Sequence, residues 1–197
     1  MSVEMLVNYY KGQDLSGTDI KTLTGRAPVL YSDLKNYSSI KELLGSFHFV
    51  ILLYQTSAIN TGHFVCLRES DEGELSYSDS LGYEYDTEQN LGASYDLRFP
   101  KYLTELIHKD GRVCEWNKYD YQRKSGAVAT CGRYSSVFAM WRNLSFQEIH
   151  GIFTRNTDAW LNQPDNLVVV MTLLPLSNIR EFFQKKNSLP IPIRSQR

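Results

Sequence analysis

The chain has 197 residues, with Lys+Arg 21 against Asp+Glu 22 for a formal charge of -1, and 13% aromatic residues including Tyr 13. A chain of this length buries a real core in one domain, and its aromatic content excludes a disordered polymer. The near-neutral balance gives no global field toward nucleic acid or an anionic membrane, and no apolar run approaches the roughly 20 residues of a membrane helix.

The three cysteines, at 66, 114 and 131, are odd in number and widely spaced, and no secretory leader precedes them. Disulfide frameworks use even counts in secreted chains, so the expectation is a soluble protein of a reducing compartment, not secreted.

Residues 4–10 are expected to form a short helix ending at Gly12, and Ser16 to cap a second that stops at Gly25. Together they make an N-terminal helical segment over residues 1–28. Residues 29–31 read as a short extended piece, and Ser38 or Ser39 caps a helix carrying Ile40, Leu43 and Leu44, with Gly45 as its stop.

Residues 47–54, apolar without alternation after His48, predict a central strand covered on both faces. After a turn at 57–60, residues 61–68 form the next strand, and Asp71-Glu72-Gly73 turns the chain into a third over 74–79. These three make an antiparallel meander. A helix over 99–108 has proline near its start and Gly111 past its end, and residues 112–116 are a further strand.

A polar run then changes abruptly into an amphipathic helix at Cys131-Gly132, continuing to Trp141. Ser145 caps a short helix over 146–150 with Gly151 as its stop. Residues 165–174 lack a clear period, so buried helix and strand remain open there. Ser177 caps a last helix over 178–186, which closes a single domain of residues 1–186, and 187–197 is expected to be a flexible tail. The expected fold is α+β, a central and mostly antiparallel sheet flanked by helices.

Four residues carry chemistry in this order. A thiol at the first turn of a helix feels the positive end of the dipole, which favours its thiolate, so Cys131 is the candidate nucleophile. Gln122 lies in the loop just upstream and supplies an amide donor for an oxyanion. Among the histidines His48, His63, His108 and His150, His63 follows a glycine at the end of an apolar strand and is the candidate base. Asp79 stands sixteen residues later, a spacing that brings two strand ends to one edge, although Asp71 and Asp86 are alternatives and Asp-Ser-Leu-Gly is also good turn chemistry. Cys66 and Cys114 read as buried small hydrophobes. No Cys or His pair has a metal-ligand spacing and no glycine-rich phosphate loop is present, so no cofactor is expected.

The ordered set Gly62-His63-Phe64, Asp79-Ser80-Leu81-Gly82, Gln122 and Cys131-Gly132 resembles the adenain-like and ubiquitin-like-protease group of cysteine peptidases (clan CE). The resemblance spans residues 29–141 and is greatest to the short proteases of virophages, Polinton-like elements and large DNA viruses. Phe64 stands where that group usually has tryptophan, and Cys131 lies nine positions after Gln122, more than in the cellular members.

The resemblance implies an adenain-like fold with the nucleophile at the start of a core helix. It implies Cys131 as nucleophile, His63 as base and acid, Asp79 as orienting carboxylate and Gln122 in the oxyanion hole. The implied substrates are capsid or core precursors cleaved after small residues such as glycine during maturation, in the virion and the viral factory of the infected cell. A peptide activator is compatible with this group, whereas the net charge does not imply DNA. The alternatives are an isopeptidase acting on ubiquitin-like modifiers and a non-catalytic interaction protein that keeps the fold.

Overall fold

The computed structural model describes residues 3–55, 62–87, 100–125, 128–155 and 163–173. Helices α1 (Val3–Lys11) and α2 (Gly17–Thr24) come first. The start of α2 carries a reciprocal capping box between Ser16 and Asp19, and Gly25 ends it in the left-handed conformation. Strand β1 (Val29–Leu30) runs through a 3₁₀ turn and α3 (Ile40–Leu44) into β2 (Phe49–Gln55), followed by β3 (Gly62–Glu69) and β4 (Leu75–Ser78). Helix α4 (Tyr102–Asp110) leads to β5 (Cys114–Trp116), and three helices follow: α5 (Cys131–Met140), α6 (Phe146–Thr154) and α7 (Pro164–Leu173).

The strands lie in chain order in a five-stranded sheet. The central meander β2-β3-β4 is antiparallel, but β1 pairs with β2 in parallel and so does β4 with β5. The sheet is therefore mixed, antiparallel in its longer central ladders and parallel at both edges. Both parallel pairings follow from their connections, since a helix carries the chain back before each second strand.

Alternation along β2 and β3 feeds two cores. Ile51, Leu53, Phe64 and Cys66 meet residues of α5, α6 and α7 on one face, while Val50, Leu52, Tyr54, Val65 and Leu67 meet α3 and α4 on the other. Burial on both faces explains the unbroken apolar run of β2.

Three local expectations need correction. His48 does not start a strand: it ends a 3₁₀ turn with φ 58, and its imidazole Nδ1 lies 2.8 Å from Glu69 Oε2. Gly151 does not stop α6, which continues to Thr154, with Phe153, two residues on, fully buried in the helical core. Residues 165–173 are helical, and the missing period has a plain cause: Leu167, Val168, Val169 and Val170 are all buried, so this helix has no solvent face to alternate with. The expected helix over 178–186 and the tail 187–197 lie outside the described residues, as do the turn at 57–60 and the start of the helix expected at 99.

Candidate active site

The requirement for glycine before His63 is steric. A Cβ on Gly62 would lie 1.9 Å from the carbonyl oxygen of Tyr54, inside the β2-β3 ladder, so no other residue fits this pairing. His63 follows, opposite Tyr54 and beyond the last rung that β4 shares with β3 at Cys66↔Ser78. The imidazole thus stands at the rim of the sheet.

There its Nε2 meets Asp79 Oδ1 at 2.8 Å, so the ring nitrogen not engaged by the carboxylate is Nδ1. Asp79 is fully buried just past the end of β4. The same Oδ1 accepts the Leu81 N–H at 2.7 Å, and Asn117 grips the backbone: its Oδ1 accepts the Asp79 N–H at 2.7 Å and its Nδ2 donates to the Asp79 carbonyl at 2.7 Å. Oδ2 is buried with no hydrogen-bond partner among the described residues, so one oxygen carries the contacts. The competing carboxylates are occupied elsewhere. Asp71 receives bonds from Arg142 and Asn143, and Asp86 receives them from Tyr54 and the start of α4 at Thr104.

The glutamine loop is fastened to the residue after Asp79. The N–H groups of Tyr121 and Gln122 both donate to the Ser80 carbonyl, at 2.9 and 3.0 Å. The Ser80 hydroxyl donates to Gln122 Oε1 at 2.7 Å, which fixes the amide and leaves Nε2 as its donor end. Gly82 makes room for this contact: its φ is 74, and a Cβ there would come 3.0 Å from the Tyr119 carbonyl carbon. Tyr121 anchors the loop in the helical core, its ring 4.7 Å from that of Phe153 and its carbonyl accepting the Tyr134 hydroxyl at 3.1 Å. Burial pushes the Tyr121 phenol well above its ordinary pKa.

Cys131 opens α5, almost wholly buried. Gly132 beside it lets the helix start touch β3: a Cβ would lie 3.3 Å from Phe64 Cδ2 and 3.3 Å from Leu15 Cβ. At the far end of the same strand, the buried Arg68 donates to the Trp141 carbonyl at 2.6 Å. Four strand steps from Phe64 to Arg68 and nine helical steps from Gly132 to Trp141 each span about 13 Å, so strand and helix are fastened at matching ends. By contrast Cys66 lies in mid-strand and Cys114 in β5, and desolvation pushes each thiol up to about 12.

The residue before Cys131 does not cap the helix with its side chain. Thr130 instead donates its hydroxyl to Asp165 Oδ1 at 2.5 Å, and Asp165 Oδ2 accepts the N–H of Arg123, next to Gln122, at 3.0 Å.

The structure therefore joins His63 to Asp79 directly. It ties Gln122 to Ser80 beside Asp79, and sets the Cys131 helix start against Phe64 beside His63. Asn117, Thr130 and Asp165 were not singled out by the sequence, and Ser80 entered only as part of the Asp79-Gly82 motif. Each is a short polar residue whose partner lies far away in the chain, and the only local signal is a polar side chain bordering an apolar segment.

No helix among the described residues is long and apolar enough to cross a membrane, and no group of His, Cys, Asp and Glu among them could hold a metal ion. No family model matches the chain. It is 25% identical over 173 residues to the Uncharacterized protein V9 of Sputnik virophage, a match covering 85% of this chain and 98% of that protein. The chain is thus related to a virophage protein, which agrees with a viral setting. Among solved structures, the central domain of the uncharacterized Lpg1148 protein from Legionella pneumophila is similar at TM-score 0.41 and 11% identity, covering 86% of this chain and 99% of that one, too slight a likeness to carry fold or function.

Proposed function

We propose that this chain is a viral cysteine endopeptidase of the adenain-like group, cleaving capsid or core precursors after small residues during particle maturation. The observation that carries the reading is the His63–Asp79 pair at the sheet rim, with the Gln122 loop bonded to the next residue and the Cys131 helix packed on the neighbouring one. The relationship to a virophage protein supports the viral setting.

In this reading the Cys131 thiol gives its proton to His63 Nδ1, while Asp79 on Nε2 holds the ring and its tautomer. The sulfur attacks the peptide carbonyl carbon, forming a C–S bond as the carbonyl π electrons move onto oxygen. Gln122 Nε2 and the backbone N–H at the start of α5 receive that oxyanion. Imidazolium protonates the amine as the C–N bond breaks, leaving a thioester. His63 then takes a proton from water, which attacks the thioester and releases the acid and the thiol.

The test is incubation of the purified protein with a capsid precursor, with fragments identified by mass. Defined shorter products are expected, and Cys131→Ala should leave the precursor whole. Gln122→Ala should lower kcat by about 10²–10³. Cleavage by Cys131→Ala would reject the nucleophile. Turnover of modifier–fluorophore conjugates without precursor cleavage would make the protein a deconjugase.

A further inference from the structure

Among the buried charged groups, Asp165 has no part in the chemistry above, yet both of its oxygens are spent on the segment that joins Gln122 to Cys131. It lies in the first turn of α7, 7% exposed, inside the helical core layer. Oδ2 accepts the N–H of Arg123, the residue after Gln122, and Oδ1 accepts the hydroxyl of Thr130, the residue before Cys131. A carboxylate spans only about 2.2 Å between its oxygens, so the two ends of the 123–130 loop are drawn to a single group.

The position of that group is itself fixed. Helix α7 is buried nearly all round, and Val168 and Val169 on the following turn are fully buried, so the helix cannot turn to follow the loop. On the α5 side, the hydroxyl of Thr172 one turn further along α7 receives a bond from Arg133, at 2.7 Å, which locks the same two helices a second time.

We propose that Asp165 is a positioning residue that sets the separation between the Gln122 amide and the Cys131 sulfur by clamping both ends of the loop between them, an inference that rests on the peptidase reading. The oxyanion develops on the carbonyl that the sulfur attacks and is received by the Gln122 amide, and a misplacement of about 1 Å can cost about 10² in rate. Loss of the clamp therefore acts on kcat, while KM and the nucleophilicity of the thiol stay near wild type.

The experiment compares Thr130→Val, which keeps shape but removes one arm, with Thr130→Ser, which keeps the hydroxyl, and with Asp165→Ala. Precursor turnover is measured beside the rate of Cys131 alkylation by iodoacetamide, a reaction that needs no oxyanion site. Thr130→Val is expected to lose kcat by about 10- to 100-fold with alkylation little changed, Thr130→Ser to restore turnover, and Asp165→Ala to lose at least as much as Thr130→Val. Wild-type kcat in Thr130→Val, or a loss matched by equal losses of alkylation and urea stability, overturns the proposal while leaving the peptidase reading intact. A wild-type protein that turns over no precursor overturns both.

Discussion

Desolvation holds the thiols of Cys66 and Cys114 up to about 12, so at neutral pH roughly one in 10⁵ of either is thiolate. Cys131 instead stands at a helix start beside the imidazole strand. Iodoacetamide at pH 7 is expected to modify Cys131 alone in the native protein, and peptide mapping that finds Cys66 or Cys114 alkylated would contradict the argument. At this scale the sequence was informative where chemistry demands a residue type at a fixed place. Spacing from His63 offered Asp79 with Asp71 and Asp86 as alternatives, and the Asp79 carboxylate lies 2.8 Å from the imidazole. The residues that hold the candidate site were not legible. Asn117 and Asp165 are ordinary polar side chains until the fold puts a backbone amide or hydroxyl in front of them, and nothing local encodes that partner.

The β2-β3 ladder, the Asp79-Gly82 turn and the start of α5 each carry a glycine at a close contact. At Gly62 the nearest atom is the Tyr54 carbonyl oxygen, 1.9 Å from where a Cβ would be, and because it is backbone of the paired strand it cannot swing aside as a side chain would. Gly62→Ala is expected to cost about 1–3 kcal/mol, read from the urea midpoint, and to abolish precursor cleavage by displacing His63. Retention of full activity would show that the ladder can re-register there. Element by element, the sequence was read best where caps and periods agree, as in α2 and the antiparallel meander. It failed where burial erased the period, as in α7, and where a glycine served inside a helix, as at Gly151. The parallel pairings of β1 and β5 were missed because both strands are short and their partners are set by the helices that intervene.

At the scale of the whole molecule, several hydrogen-bonded carboxylates among the described residues titrate below their ordinary range. Asp19 is lowered from 3.8 chiefly by bonds from Ser16, and Asp110 by bonds from Arg112. Glu69, which burial alone would raise, is held below 4.5 by Arg112 and His48. A group depressed on folding adds stability that is fully present above its unfolded value and is lost as pH falls through the folded one. The urea midpoint should therefore be flat above about pH 5 and decline steadily below pH 4, and a midpoint that rises on acidification would refute the assignment. The mixed sheet with helices on both faces was only partly foreseen, since a two-sided core shows in β2 whereas the order of the helices around it does not.

One joint in this assembly bears on timing. The carbonyl of Lys11 in α1 accepts the N–H of Ala129, and the Lys11 ammonium bonds Asn166 in α7. During synthesis the ribosome delivers the first of these partners more than 150 residues before the last. The sheet can assemble on a nascent chain while the loop ahead of Cys131 still lacks its anchors, so the candidate site is complete only once α7 has emerged and docked.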